Sequence, residues 1–178
     1  MYFFLQETHS TVADAAFWSS QWGDKVLLSH GSSHSAGTAI LFNNCPGKVI
    51  SVKTDSNGHW VAIVVDIESV FFILINIYGY NNVKQNQQLF ADVSCLVRDF
   101  KKLFPTDNIV IGGDFNVTPD ESLDRHPPKS STPQLNSMIT KFCNILKYWM
   151  YGDILTLTPN SFLGLDPMSL ANRGSTIG

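Results

Sequence analysis

The sequence predicts a layered α/β sandwich, in which helices cover the faces of sheets built mainly from adjacent strands. Three observations carry that prediction. Residues 48–53, 59–67 and 70–77 read as three successive strands, with Ser56-Asn57-Gly58 as a hairpin turn between the first two. Residues 84–104 place Leu89, Phe90, Val93, Leu96, Val97, Phe100 and Leu103 in one helical stripe. Immediately afterwards the short apolar run 108–111 opens into Gly112-Gly113-Asp114-Phe115-Asn116. Strands and amphipathic helices interleaved in this order bury their apolar faces against one another as stacked layers.

The remaining elements follow the chain. Tyr2-Phe3-Phe4-Leu5 is apolar from the start, with no cap or turn before it, and reads as a buried strand entered part-way. Residues 11–22 space Val12, Ala15, Ala16, Trp18 and Trp22 as a helix would, with Ser10 or Thr11 as N-cap. Residues 25–29 and 38–42 read as strands on either side of the polar loop 31–37. Residues 43–47 form a turn. The run Phe71 to Ile75 is apolar throughout, as expected of a central strand covered on both faces. Pro105 ends the long helix, residues 118–133 form a Pro- and Ser-rich loop, and 134–146 form a second amphipathic helix.

Composition narrows the class. With 178 residues, 44% hydrophobic and 15% charged, the chain can build one domain with a substantial core. A net charge of -3 argues against a strongly basic nucleic-acid binder while leaving room for a local basic patch. Cys45, Cys95 and Cys143 are odd in number and match no metal-ligand spacing, so a reducing, intracellular compartment (nuclear or cytoplasmic) is expected rather than secretion. No apolar run approaches a membrane span, and the N-terminus lacks the basic region of a signal peptide.

Polar residues gather at the predicted strand ends. Glu7 follows the first strand, Tyr78 and Asn81 follow the central one, and Asp114 and Asn116 follow the last. Gly112 and Gly113 would let the backbone turn tightly, and residues two apart on an extended strand end face the same side, presenting the Asp114 carboxylate and the Asn116 amide together. A carboxylate that orients water beside an amide that donates to a charged oxygen suits phosphate ester chemistry. A hard cation such as Mg²⁺ needs only one or two carboxylates, and Glu7 is the natural ligand. Each residue also has a plainer role: Glu7 as a solvated strand-end charge, Tyr78 as a core ring with its hydroxyl at the rim, Gly-Gly-Asp-Phe-Asn as an ordinary turn. His9, His30 and His34 match no ligand spacing and read as surface residues, and Trp18, Trp22 and Trp60 as core.

Taken together, Leu5-Gln6-Glu7-Thr8-His9, the segment 35–42 (Ser-Ala-Gly-Thr-Ala-Ile-Leu-Phe), Asn76-Ile77-Tyr78-Gly79-Tyr80-Asn81 and Gly112-Gly113-Asp114-Phe115-Asn116 resemble the endonuclease/exonuclease/phosphatase superfamily in order and approximate spacing. The likeness is nearest to the apurinic-type endonuclease domain of non-LTR (LINE-type) retrotransposons, with Asp124-Arg125 also typical, and it covers residues 3 to about 146. The resemblance implies a DNase I-like fold and hydrolysis of a phosphodiester with Mg²⁺, or Mn²⁺ in its place. It further implies Glu7 as metal ligand, Tyr78 as the phenol that contacts the scissile phosphate, Asp114 as the residue that orients or deprotonates water, Asn116 as the positioning amide and Asn81 as a substrate contact. The implied partner is target DNA, nicked to expose a 3′-hydroxyl that primes a reverse transcriptase domain following in the ancestral polyprotein. Two alternatives stand beside it: a phosphatase or phosphodiesterase of the same fold acting on small phosphorylated substrates, and a catalytically dead remnant.

The match departs from the family at both ends, so the domain is expected to be incomplete. The family's first strand, with its Asn, would lie before Met1; its Arg-Ile-Asp and Ser-Asp-His segments are absent, and no His follows His126. Reading the codons of Tyr148-Trp149-Met150-Tyr151 one base earlier gives Leu-Asp-Val, and the same frame permits Lys-Ser-Arg-Ile-Asp over Ala171 to Gly178. The expectation is a domain over residues 3–146 and, from a frameshift near Leu146 or Lys147, a non-native tail over 147–178.

Overall fold

The structure is a computed structural model that describes residues 1–116, 140–142, 149–151 and 154–156. Two sheets lie face to face. The smaller has three strands in the order β1-β3-β2, from β1 (Tyr2–Leu5), β2 (Val26–Ser29) and β3 (Thr38–Phe42), all antiparallel. The larger has six in the order β4-β5-β6-β7-β9-β8. Its strands are β4 (Lys48–Thr54), β5 (Trp60–Ile67), β6 (Val70–Tyr78), β7 (Ile109–Asp114), β8 (Trp149–Tyr151) and β9 (Ile154–Thr156). The short strands β8 and β9 extend the sheet beyond β7 from within the stretch expected to be a tail.

Between Thr11 and Gly23 the single expected helix is a 3₁₀ turn, Val12–Asp14, followed by α1 (Ala15–Trp22), which buries no residue fully. The turn begins where Asp14 reaches back to accept hydrogen bonds from the Thr11 main-chain N–H and hydroxyl, both 2.7 Å. Trp22 anchors the far end: its ring meets Phe3 edge-on at 5.5 Å and its N–H donates to the Phe42 carbonyl.

β6 pairs antiparallel with β5 and parallel with β7, and a parallel pair needs a long crossover. α2 (Val83–Leu103) supplies it. Its N-terminus is set by Asn82, whose side chain accepts from the N–H groups of Lys84 and Gln85. The predicted stripe lies against the large sheet except at its end: Leu89, Phe90, Val93, Leu96, Val97 and Phe100 are buried with Ala62, Val64, Ile73, Ile75, Ile77 and Ile111, whereas Leu103, in the last turn, is 67% exposed. A second core, Ile40, Phe42, Val61, Ile63, Val65 and Leu74, fills the space between the sheets. Alternate residues of β5 and β6 thus feed different cores, which is why both strands read as unbroken apolar runs. Phe142 packs on Phe90 at 4.7 Å from the helical residues 140–142; the loop 118–133, Asp124-Arg125 and the rest of the second expected helix lie outside the described residues.

The two sheets are tied together by a polar residue. Asn76, fully buried in β6, donates through Nδ2 to the carbonyls of Leu5 (2.8 Å) and Ala39 (2.9 Å), and its Oδ1 accepts from Gln6 Nε2 (2.6 Å). That bond set fixes the end of β1 over the end of β6, and Glu7 is the next residue along.

Candidate active site

Tyr78 ends β6 at the same level as Asp114 ends β7, the two being register partners. The strand bearing Asp114 does not turn at the glycines, as the sequence suggests, but runs straight through Gly112 and Gly113 to Asp114. The reason is contact with β6. Gly113 sits at φ 130°, and a Cβ there would lie 1.9 Å from the Ile77 carbonyl oxygen, so only glycine lets β7 pass. The turn comes later, at Asn116 with φ 49°. Strand alternation therefore does not pair Asp114 with Asn116. An Asx-type turn does, the Asp114 carboxylate accepting from the Asn116 main-chain N–H at 2.9 Å. The Asn116 side chain meanwhile donates to the Gly79 carbonyl at 2.7 Å, and the Gly79 N–H donates to the Asp114 carbonyl at 2.6 Å.

Glu7 arrives from the other sheet. Its φ of 52°, with 49° at His9, is a conformation non-glycine residues seldom adopt, and each such residue costs on the order of 1–3 kcal/mol. The strand end is held there by the loop 31–37: Thr8 N–H donates to the Gly37 carbonyl and His9 N–H to the Ala36 carbonyl, both at 3.0 Å. That loop is backed in turn by Gly58, whose carbonyl accepts from Gly37 N–H. His30 is more than the surface residue expected, since its Nδ1 lies 3.2 Å from the hydroxyl of buried Ser10 in this support.

These elements converge on one phenol. Tyr78 donates to Glu7 Oε1 at 2.5 Å. That bond, then partial burial and the nearby Glu7 and Asp114 charges, push its pKa up to about 12, while the Asn116 amide pulls the other way. The structure thus brings Glu7, Tyr78, Asp114 and Asn116 to a single rim, with the carboxylates of Glu7 and Asp114 exposed to solvent. Asn81, expected as a substrate contact, is exposed, and no hydrogen bond links it to these four among the described residues. Beside the rim, a cleft of about 540 Å³ opens between the sheets, walled by Tyr2, Phe4, Leu74 and Val110 with Gln6 and Asp114 in its lining.

Three residues that sequence reasoning passed over shape this rim: Asn76, His59 and Asn86. Asn76 did leave a signal, a lone amide in the run Leu74-Ile75-Asn76-Ile77, because a buried amide must find partners. His59 and Asn86 left none, since their contacts depend on how β5 and α2 meet the end of β6.

A sequence model described as the endonuclease/exonuclease/phosphatase family matches residues 2–162. The chain belongs to that family. Hydrolysis of phosphodiesters, generally dependent on a divalent metal, is the chemistry of that family. Over 150 residues the chain is 29% identical to an uncharacterized 149 kDa protein of transposon TX1 from Xenopus laevis, a match that takes 82% of this chain and 11% of that protein. Among solved structures, this family member is similar to the AP endonuclease LMAP from Leishmania major, with TM-score 0.62 and 13% identity over 83% of this chain and 58% of the other. It is also similar to the 3′-5′ exonuclease NExo from Neisseria meningitidis, with TM-score 0.58 and 21% identity over 81% of this chain and 60% of the other. Those two likenesses establish the DNase I-like fold, and this chain spans less than two thirds of each. No helix among the described residues is long and apolar enough to cross a membrane.

Proposed function

We propose that the chain is the phosphodiester-hydrolysing part of a retrotransposon-type endonuclease domain that nicks target DNA with Mg²⁺, or Mn²⁺ in its place. The observation that carries this reading is the convergence of Glu7, Tyr78, Asp114 and Asn116 at one rim, two exposed carboxylates flanking a phenol and an amide. The donor set suits a hard cation. Glu7 offers carboxylate oxygen at the rim, and a hard cation needs only one or two protein carboxylates, keeping waters and phosphate oxygens as its other ligands. Glu7 would hold the ion, which when bound polarises a phosphoryl oxygen as a Lewis acid.

The protein's own groups have separable tasks. Asp114 is exposed and has one oxygen engaged by the Asn116 N–H, leaving the other to accept a proton from attacking water, a contribution of roughly 10²–10⁴ in rate. Tyr78 keeps its proton at physiological pH, its pKa standing at about 12. Its one O–H, donated to Glu7 in the absence of the ion, would turn to the phosphate once Glu7 holds the ion, as a hydrogen-bond donor rather than a base. The Asn116 amide, steadied by Gly79, donates beside it. The oxygen of the attacking water bonds to phosphorus as the phosphorus–O3′ bond breaks, and the departing O3′ takes a proton from solvent, leaving a 3′-hydroxyl and a 5′-phosphate. A transposon relative supports DNA as substrate; a following reverse transcriptase domain as ancestral partner and an intracellular setting are part of the same proposal.

A second reading stands beside it: a chain that keeps the fold without the turnover. A panel of supercoiled plasmid, a short single-stranded oligonucleotide and inositol phosphates, each with Mg²⁺, tests the proposal. Preferential nicking of plasmid supports it. Release of phosphate from the small substrates alone would replace it with a phosphatase, and a folded chain inert on all three would favour the remnant.

A further inference from the structure

Beyond Tyr78 the β6 backbone leaves the sheet ladder, and its polar groups must find partners elsewhere. Nearly all of them are met by side chains. The Tyr78 carbonyl lies 2.5 Å from His59 Nδ1, the Gly79 carbonyl accepts from Asn116, and Asn86, fully buried, both donates to the Tyr80 carbonyl (2.5 Å) and accepts from the Tyr80 N–H (2.6 Å). His59 has the closest link to the reacting end. A carbonyl only accepts, so Nδ1 must carry the proton, which sets the ring's tautomer. Its ring lies parallel to that of Tyr78, at 5.5 Å and 11°, and is stacked on Tyr80 at 3.5 Å and 22°. The residue is 8% exposed and is itself anchored: its main-chain N–H donates to Asp55 Oδ1 at 2.7 Å and its carbonyl accepts from the Tyr78 N–H at 2.7 Å. Asp55 also receives the Trp60 N–H and the Ser29 hydroxyl, so the anchor is tied to both sheets.

We propose that His59 is a positioning residue for Tyr78, gripping its carbonyl and lying along its ring so that the phenol is aimed across the rim at Glu7. The ring has two functions at once, donor and flat neighbour, and no other side chain combines them in the same volume. An aromatic without Nδ1 keeps the stack and frees the carbonyl; an amide keeps the donor and removes the stack. The kinetic part of the proposal rests on the hydrolytic reading above, whereas the structural part does not.

The test is a pair of variants, His59→Phe and His59→Gln, each made in the natural chain and in Tyr78→Phe. If His59 acts through the phenol, either variant lowers kcat on plasmid by roughly tenfold to a hundredfold while KM changes little, since small misplacement of an aligned group is costly. In the Tyr78→Phe background the same substitutions then cost nothing further; additive losses would overturn the proposal. Imidazole ¹⁵N spectra and ¹³C-labelled tyrosine give a readout without turnover, the Tyr78 signal being the one lost in Tyr78→Phe. Expected are an Nδ1–H tautomer for His59 and a displaced Tyr78 signal in whichever variant remains folded. An Nε2–H tautomer, or a Tyr78 signal unmoved in a folded variant, would refute it. Failure of the natural chain to cleave any phosphodiester would count against the hydrolytic reading alone, with the spectra still deciding the role of His59.

Discussion

Asn76 belongs to one sheet and hydrogen-bonds to the other, so its amide decides where Glu7 stands relative to Tyr78. Asn76→Ala would strand the Leu5 and Ala39 carbonyls and the Gln6 amide, and an unsatisfied buried group costs about 1–3 kcal/mol. A loss of about 2–4 kcal/mol in urea unfolding is expected on that basis; a loss below about 1 kcal/mol would mean that the sheets hold their register without it. Tyr78 makes a prediction with a definite sign. Its folded pKa of about 12 lies above the ordinary value of 10.0, so between those values the folded chain binds more protons than the unfolded one. Stability from the Tyr78–Glu7 bond is therefore complete below pH 10 and is lost as pH rises toward 12. In chelator, denaturation midpoints should fall more between pH 9 and 11 for the natural chain than for Tyr78→Phe. At this scale Glu7, Tyr78, Asp114 and Asn116 were legible because they sit in short motifs at strand ends. His59 and Asn86 were not, because a residue whose role is to satisfy another's backbone carries no motif of its own.

Among the elements, β5, β6 and α2 came within one residue or so of expectation, because long apolar periods survive any tertiary context. The departures occur where tertiary contact overrides a local signal. Gly112-Gly113 reads as a turn, yet β7 must pass close beside β6, and the missing side chain at Gly113 serves approach rather than reversal. Gly113→Ala should therefore cost at least about 2 kcal/mol, combining the collision with the Ile77 carbonyl and a disfavoured φ. Asn82→Ala removes the α2 cap and should cost only about 1 kcal/mol, with the rim intact. Thermal melts compare the two; equal effects would contradict the close-approach account of Gly113. α1 shows the opposite failure. Val12, Ala15, Ala16, Trp18 and Trp22 fall near helical spacing, but Val12 is 78% exposed and α1 buries no residue fully, so periodicity there announced a helix without announcing a buried face.

For the whole molecule, the order of motifs disclosed the layered fold, since one chain direction through β1, β6 and β7 leaves only one rim where their ends meet. How the C-terminal part is built could not be read in the same way, because the short motifs that carried the reading end before it. We retain the proposal that residues 147–178 are a frameshifted tail on a domain of 3–146, although β8 and β9 pair with β7 and the family match reaches residue 162. Two checks apply: the nucleotide sequence should encode the Arg-Ile-Asp pattern one base earlier, and removing residues 163–178 should leave Tm unchanged. Stop codons in that frame, or a Tm lowered by several degrees, would count against it. If the four residues at the rim form a working hydrolytic site, the purified chain nicks supercoiled plasmid. Natural chain and Asp114→Ala would be compared with Mg²⁺ and with chelator. Mg²⁺-dependent nicking is expected, abolished by chelator and reduced by roughly 10²-fold or more in the variant. Nicking that persists unchanged in Asp114→Ala, or none from a folded natural chain, would contradict it.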